Sequence, residues 1–432
     1  MLDLLRDPRV ETTVLDNGLA VTTVALPHLH TAVSALFVKV GARFETPADN
    51  GLSHFVEHML FRGTERYRTS LELNTAVERL GSTLHAETGR DYTLFQLSLE
   101  ADHIPASIEL LGELVGQPRF DDIELERELV LEEINEDYDE HGVEINADDI
   151  ARGIVFEDHP LGQRIIGPRS NVERFTAADV RRHFAAFYGA KNANLCVAGP
   201  IEHGPVVEQA ARALAKLPAG KRADVPAAPP PIDGPLLHHV KDAGSQTSLS
   251  VLFRAIPELD PAYVSLVALV RVLDDGMSTR LHYTLADQKA LAYSIHAAIE
   301  PLADAALFEI TSATANAKVP SLVRELFALL DGLRHGQVTN DELAKARVRY
   351  RYETLASIDD ASAMAGWFGG TALYYPPPTL SERLAQMAKV TIDDVVRVAE
   401  QVLSPKHLVL AAVGSLSRAR LGELRQAVSD WR

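Results

Sequence analysis

The chain has very little cysteine: Cys196 alone in 432 residues. One thiol excludes an internal disulfide framework and a cysteine-rich zinc site, and it suits a reducing compartment. Long apolar runs are missing too, so no segment reads as a bilayer span. The opening stretch "MLDLLRDPRVETT" has no basic region followed by an apolar one, so no signal peptide is visible and a cytoplasmic protein is expected. Basic residues are outnumbered, 42 Lys and Arg against 60 Asp and Glu, for a formal charge of −18. That balance argues against nucleic acid or an anionic membrane as partner and leans toward cationic ligands.

What is present is ordinary globular material, 46% hydrophobic and 24% charged, in a chain too long for one core. "LDNGLAVTTVAL" and "TAVSALFVKVGA" read as strands, and "STLHAETGRDYTLFQLSLE" as a hairpin around Gly89. Between them "TSLELNTAVERLG" reads as a helix, with Thr69 and Glu72 at capping-box spacing and Gly81 at its end. Helices are also expected near Ile104–Gln117 and Asp121–Tyr138. Strand pairs alternating with helix pairs imply an α+β sandwich, helices covering a mainly antiparallel sheet.

The proline-dense stretch Leu217–Pro235 reads as a linker. On its two sides "TAADVRRHFAAFYGAKNANLCVAG" and "TIDDVVRVAEQVLSPKHLVLAAVG" correspond without a gap at an offset of 215 residues, Thr176 matching Thr391 and Asp179 matching Asp394. Duplication is the simplest explanation. The expected organisation is a domain over 1–216, a linker over 217–235 and a homologous domain over 236–432.

In "LSHFVEHMLFRGT", Leu52, Phe55, Val56, Met59 and Leu60 recur as one apolar helical face, with Asp49 or Asn50 as N-cap. His54, Glu57 and His58 interrupt that run. Imidazoles four residues apart share a helix face and can meet one Zn²⁺ at about 2.0–2.1 Å. Glu57 lies beside them. In the second half His54 and His58 become Leu269 and Leu273, so the second copy lacks the triplet. A hydrolytic zinc site needs a third protein ligand, usually a carboxylate from another helix. The acidic helix "ELERELVLEEINEDYDE" is the candidate, with Leu125, Leu129, Val130 and Ile134 on its apolar side and Glu126 and Glu133 two turns apart on one face.

"HFVEHMLFRGT" followed by "ERELVLEEI" resembles the inverted zinc signature of the pitrilysin and mitochondrial-processing-peptidase family, the inverzincins with H-x-x-E-H. Seventy-four residues separate His58 from Glu133, and "LDNGL", "HPLGQRIIGP", "NLCVAG", "GMSTRL" and "LAYSI" extend the resemblance over the chain. It implies two homologous α/β domains enclosing a peptide chamber, and a zinc endopeptidase acting on unfolded peptides. His54, His58 and Glu133 become ligands of one Zn²⁺ per chain, Glu57 the general base, and Glu126 a carboxylate orienting a ligand. His85 and Ala86, on a strand that pairs with substrate, and Tyr293 become substrate-binding residues. His85 stands where the family carries asparagine, and Ala286 where it carries an arginine seven residues before the tyrosine. Arg280 is a possible replacement, but "VLDDGMS" is poor in glycine. The missing clamp favours a heterodimer with a homologous subunit lacking the zinc motif over a homodimer. A non-catalytic scaffold of the same fold is the competing reading.

Overall fold

The computed structural model describes residues 7–432, and the reading of "MLDLLR" lies outside them. In chain order the elements begin with β1 (Arg9–Val14), β2 (Ala20–Ala25), β3 (Thr31–Val38), α1 (Leu52–Leu60) and α2 (Ser70–Glu78). The hairpin β4 (Leu84–Thr88) and β5 (Thr93–Glu100) follows, then α3 (Ile104–Gly116), α4 (Ile123–Asn135) and α5 (Ala147–Phe156). Next come α6 (Arg169–Val172), α7 (Ala177–Phe187), β6 (Ala193–Gly199) and α8 (His203–Ala213). After the proline-rich stretch stand β7 (Leu236–Val240), β8 (Gln246–Ala255), α9 (Tyr263–Leu273), β9 (Ser294–Pro301) and β10 (Ala306–Ala315). The chain closes with α10 (Val319–Arg334), α11 (Asn340–Ser357), α12 (Ala361–Ala365), α13 (Leu380–Lys389), α14 (Ile392–Val402), β11 (Leu408–Val413) and α15 (Arg418–Asp430).

The strands form two open sheets, ordered β1-β2-β6-β3-β5-β4 and β7-β11-β8-β10-β9. Within each, one pair is parallel, β2 with β6 and β7 with β11, and the rest are antiparallel. Dropping β1, the second order repeats the first strand for strand. The repeat reaches side-chain detail. Thr176 and Asp179 close a capping box on α7, and Thr391 and Asp394 close the same box on α14. Two sheet-plus-helix halves of one design are therefore present, as the α+β reading expects.

Contacts divide the chain into two compact units. The first takes the described part of Met1–Ile134 with Arg164–Pro226 and Glu353–Ser381, and the second takes Asn135–Gln163, Ala227–Tyr352 and Glu382–Arg432. Residues 218–235 hold neither helix nor strand, and the unit boundary falls inside them. Two segments depart from simple chain order, 135–163 and 353–381, and each has a packing reason. In the first unit α3 packs on β3 and β5, and α8 on β2. The other face buries Val33, Ala35, Phe37 and Cys196 against Ala361, Met364, Ala365 and Phe368. Gly369 allows that approach, since a Cβ there would meet Cys196 Cβ at 2.5 Å. In the second unit Val155, Phe156 and Leu161 cover Leu252, Leu307, Val409 and Ala411. An apolar sheet face must be covered, and here each is covered by a segment distant in sequence. Among the described residues no helix is long and apolar enough to cross a membrane.

Candidate metal centre

The apolar side of α1 is buried as its spacing requires: Leu52, Phe55, Val56, Met59 and Leu60 are all at most 1% exposed. Its start differs from the expected Asp49 or Asn50 cap. Gly51 is the N-cap at φ 100°, and a Cβ there would lie 2.6 Å from the Ile166 carbonyl oxygen. The capping group is the Glu45 carboxyl. It accepts from the Ser53 amide at 2.6 Å, the Gly51 amide at 2.9 Å and the Asn50 side chain at 3.0 Å. Burial raises the Glu45 pKa against these bonds, so the anchor of α1 is a desolvated acid held by amides.

From that helix two imidazoles meet a carboxylate of α4. His54 Nε2 and His58 Nε2 each lie 3.6 Å from an oxygen of Glu133, and the ring centroids are 4.4 Å apart. One donor atom from each of the three falls within a 4.8 Å group. Atoms about 2.0–2.1 Å from a shared ion at tetrahedral angles are about 3.3 Å apart, so the spacing suits a zinc-sized ion. The donor chemistry fits as well. Burial, then the neighbouring His58, lowers the His54 pKa to about 3, which keeps a lone pair available. His54 Nδ1 is buried with no hydrogen-bond partner. The other nitrogen of His58, Nδ1, lies 2.8 Å from Glu126 Oε1, leaving Nε2 toward Glu133. Arg62 Nε donates to the second Glu126 oxygen. Such a carboxylate fixes ring orientation and raises imidazole basicity. Burial pulls the His58 pKa down, but the bond to Glu126 and the surrounding carboxylates outweigh it and raise the group overall. Glu126 shifts the opposite way, burial being outweighed by His58 and Arg62.

Glu57, one residue before His58, is 9% exposed. Burial raises its pKa, and the Thr88 hydroxyl donating to Oε2 at 2.6 Å offsets part of that rise. On α4 the expected apolar side is half corrected. Val130 and Ile134 are buried, but Leu125 and Leu129 are 50% and 51% exposed. The helix turns Glu126, Val130 and Ile134 inward, which brings Glu133 to the imidazoles.

His85 and Ala86 lie on β4, the edge strand of the first sheet, opposite Gln96 and Phe95 of β5. His85 is exposed. Tyr293 belongs to the second unit, just before β9, and is 96% exposed. Ala286 sits in a π-helical segment, Leu281–Gln288. The Arg280 guanidinium is engaged, pairing with both Glu342 oxygens at 2.7 and 2.9 Å. Glu45, Thr88 and Arg62 escaped the sequence reading. Arg62, four residues after His58, carried a spacing signal; Glu45 and Thr88 carried none, because a loop and a strand deliver them.

A histidine pair one turn apart, met by a carboxylate from a second helix and flanked by a buried glutamate, could hold a zinc ion with a coordination position left open. Residues 20–169 match the family model described as Insulinase (Peptidase family M16), and residues 174–350 match the Peptidase M16 inactive domain. The chain belongs to the insulinase M16 peptidase family, and the resemblance read from its motifs is borne out. Similar proteins include an "Uncharacterized zinc protease" of Streptomyces coelicolor, 29% identical over 97% of this chain and 93% of its own length. A "Probable mitochondrial-processing peptidase subunit beta" of Schizosaccharomyces pombe is 27% identical over 95% of this chain and 92% of its own. In fold, a protease from Helicobacter pylori superposes with a TM-score of 0.84 at 23% identity, over 94% of this chain and 99% of that one. The relatives named zinc proteases support a zinc metallopeptidase-type function.

Proposed function

We propose that the chain is a zinc endopeptidase acting on unfolded peptides, with His54, His58 and Glu133 as ligands of one Zn²⁺. The observation that carries this reading is the convergence of those three donors beside the buried Glu57 carboxylate. Zinc bound there supplies Lewis acidity toward water and a scissile carbonyl. Glu57, its pKa raised by burial, takes a proton from the attacking water and passes it to the leaving amine nitrogen. Thr88 holds that carboxylate in place. Glu126 and Arg62 hold the His58 ring. An extended substrate pairs its backbone with the free edge of β4 at His85 and Ala86, the His85 side chain altering the contact an asparagine would make. Tyr293 makes a further substrate contact.

The reading includes a homologous partner subunit. Ala286 stands at the clamp position, and Arg280 is committed to Glu342. The fission yeast relative is itself named as a subunit.

The test is cleavage of a quenched fluorescent, unstructured basic peptide by the zinc-loaded chain, with Glu57→Gln as control and bound zinc measured in both. Turnover lost in the variant at unchanged zinc content supports the mechanism; equal turnover in both overturns it. Turnover by the chain alone removes the need for a partner.

A further inference from the structure

A second group of metal-capable side chains lies wholly within the second unit. Asp274 follows α9, His282 lies on the π-helical segment Leu281–Gln288, and His296 is on β9. His282 Nε2 stands 3.5 Å from Asp274 Oδ1, and His296 Nδ1 stands 3.7 Å from Asp274 Oδ2. The imidazoles meet edge to face, with centroids 5.6 Å apart at 65°. One donor atom from each residue falls within a 4.8 Å group.

These separations exceed the roughly 2.7–2.9 Å of a charge-assisted hydrogen bond, so the three are not explained as tightly bonded pairs. They are close to the roughly 3.3 Å edge between two ligands of one tetrahedral ion. The carboxylate is held in position, for Asp274 Oδ2 accepts from the Ala297 amide at 2.7 Å. Neighbouring cations go elsewhere: Arg271 and Arg349 pair with Asp275 at 2.9 and 2.6 Å. Side-chain exposure grades from 10% at Asp274 and 18% at His282 to 60% at His296. Two donors are thus sheltered, and the third is open to solvent.

We propose that Asp274, His282 and His296 form a second metal site, taking a divalent ion of the zinc and cobalt type. Two imidazoles and one carboxylate suit such ions, whereas magnesium and calcium favour oxygen donors. The bound ion would tie the end of α9 to the π-helical segment and to β9. The site is not a relic of the first: at the 215-residue offset its members answer to Met59, Tyr67 and Gly81. It raises the expected one zinc per chain to two.

The test uses the full chain carrying His54→Ala and His58→Ala, which disables the first cluster and leaves these residues untouched. Equilibrium dialysis against micromolar zinc, followed by atomic absorption, is expected to give one zinc per chain. Adding His282→Ala and His296→Ala should reduce that to none, with circular dichroism unchanged. Because His296 is the exposed member, His296→Ala alone is the variant safest for folding, and a loss of affinity of about 10-fold or more is expected from it. No zinc in the first variant, or the same zinc after both substitutions, overturns the site. Both chains already lack the first cluster, so this failure would leave the Glu57 result untouched.

Discussion

The same helix is built twice in this chain to opposite ends. On α1, His54, Glu57 and His58 share the helix with a buried apolar side. On α9 the corresponding positions are Leu269, Val272 and Leu273, at most 2% exposed. Both helices follow an equivalent strand, β3 or β8, in sheets of equivalent order. The fold therefore has no need of the polar triplet. Burying an aliphatic side chain contributes about 1.5–3 kcal/mol each, so α9 shows what α1 gives up by carrying imidazoles and a carboxylate. That exchange of stability for chemistry is characteristic of functional sites.

Glu57→Gln should bring the largest change. Removing the proposed general base while keeping its shape should reduce peptide hydrolysis by about 10²–10⁴-fold with zinc content unchanged. Should the fold alone position water for cleavage, the loss would be small, and the distinction between α1 and α9 would lose its meaning.

Next in size is the reciprocal exchange. Leu269→His places an imidazole at a site with no exposure, and denaturant titration should show a loss of about 2–5 kcal/mol. His54→Leu should raise the stability of the zinc-free chain by about 1 kcal/mol, since it removes the buried Nδ1 that has no partner. If both substitutions prove neutral, burial does not separate the two helices.

Glu126→Ala should weaken zinc binding by about 10–100-fold, read by competition with a chromogenic chelator, because His58 loses the group that orients it. The α9 helix carries no imidazole for a carboxylate to orient and has no such effect to show, which sharpens the contrast.

The smallest effect belongs to what the halves share. Hydrogen bonds from Thr176, then Arg182, lower the Asp179 pKa to about 2, and Thr391 likewise lowers Asp394. A depressed carboxylate adds stability above its unfolded value near 3.8 and loses it as pH falls toward 2. Asp179→Asn and Asp394→Asn should each lower the unfolding free energy slightly at pH 7, by less than about 1 kcal/mol for such exposed caps, and by less still at pH 2. Unequal effects would mean that the two boxes are not equivalent in energy.

Much of this could be read along the chain because helical and strand periods turn spacing into faces. His54 and His58 had to share a side of α1, and Glu126 and Glu133 a side of α4. The hairpin at Gly89 and the matching caps at Thr176 and Thr391 follow from local chemistry in the same way. Local reasoning misjudged Leu125 and Leu129, since an amphipathic stripe names an apolar side without saying which residues a neighbour will cover. At Thr69 the hydroxyl caps the Glu72 amide as expected, but the Glu72 carboxylate reaches the Arg68 amide, one residue earlier than a capping box requires. Glu45 and Thr88 left no mark in the sequence; their roles exist only once a loop and a strand end meet α1.

By itself the sequence determined the duplicated design, the helix carrying two imidazoles and a glutamate, and the acidic helix that answers it, because each depends on contacts within a few residues. Tertiary structure decided which buried acid anchors their helix and which hydroxyl holds Glu57. It also decided which distant segment covers each sheet, and it brought Asp274, His282 and His296 together. Those outcomes depend on long-range packing, in which an apolar face must be covered and a buried polar atom must find a partner, and spacing along the chain does not encode which residue arrives.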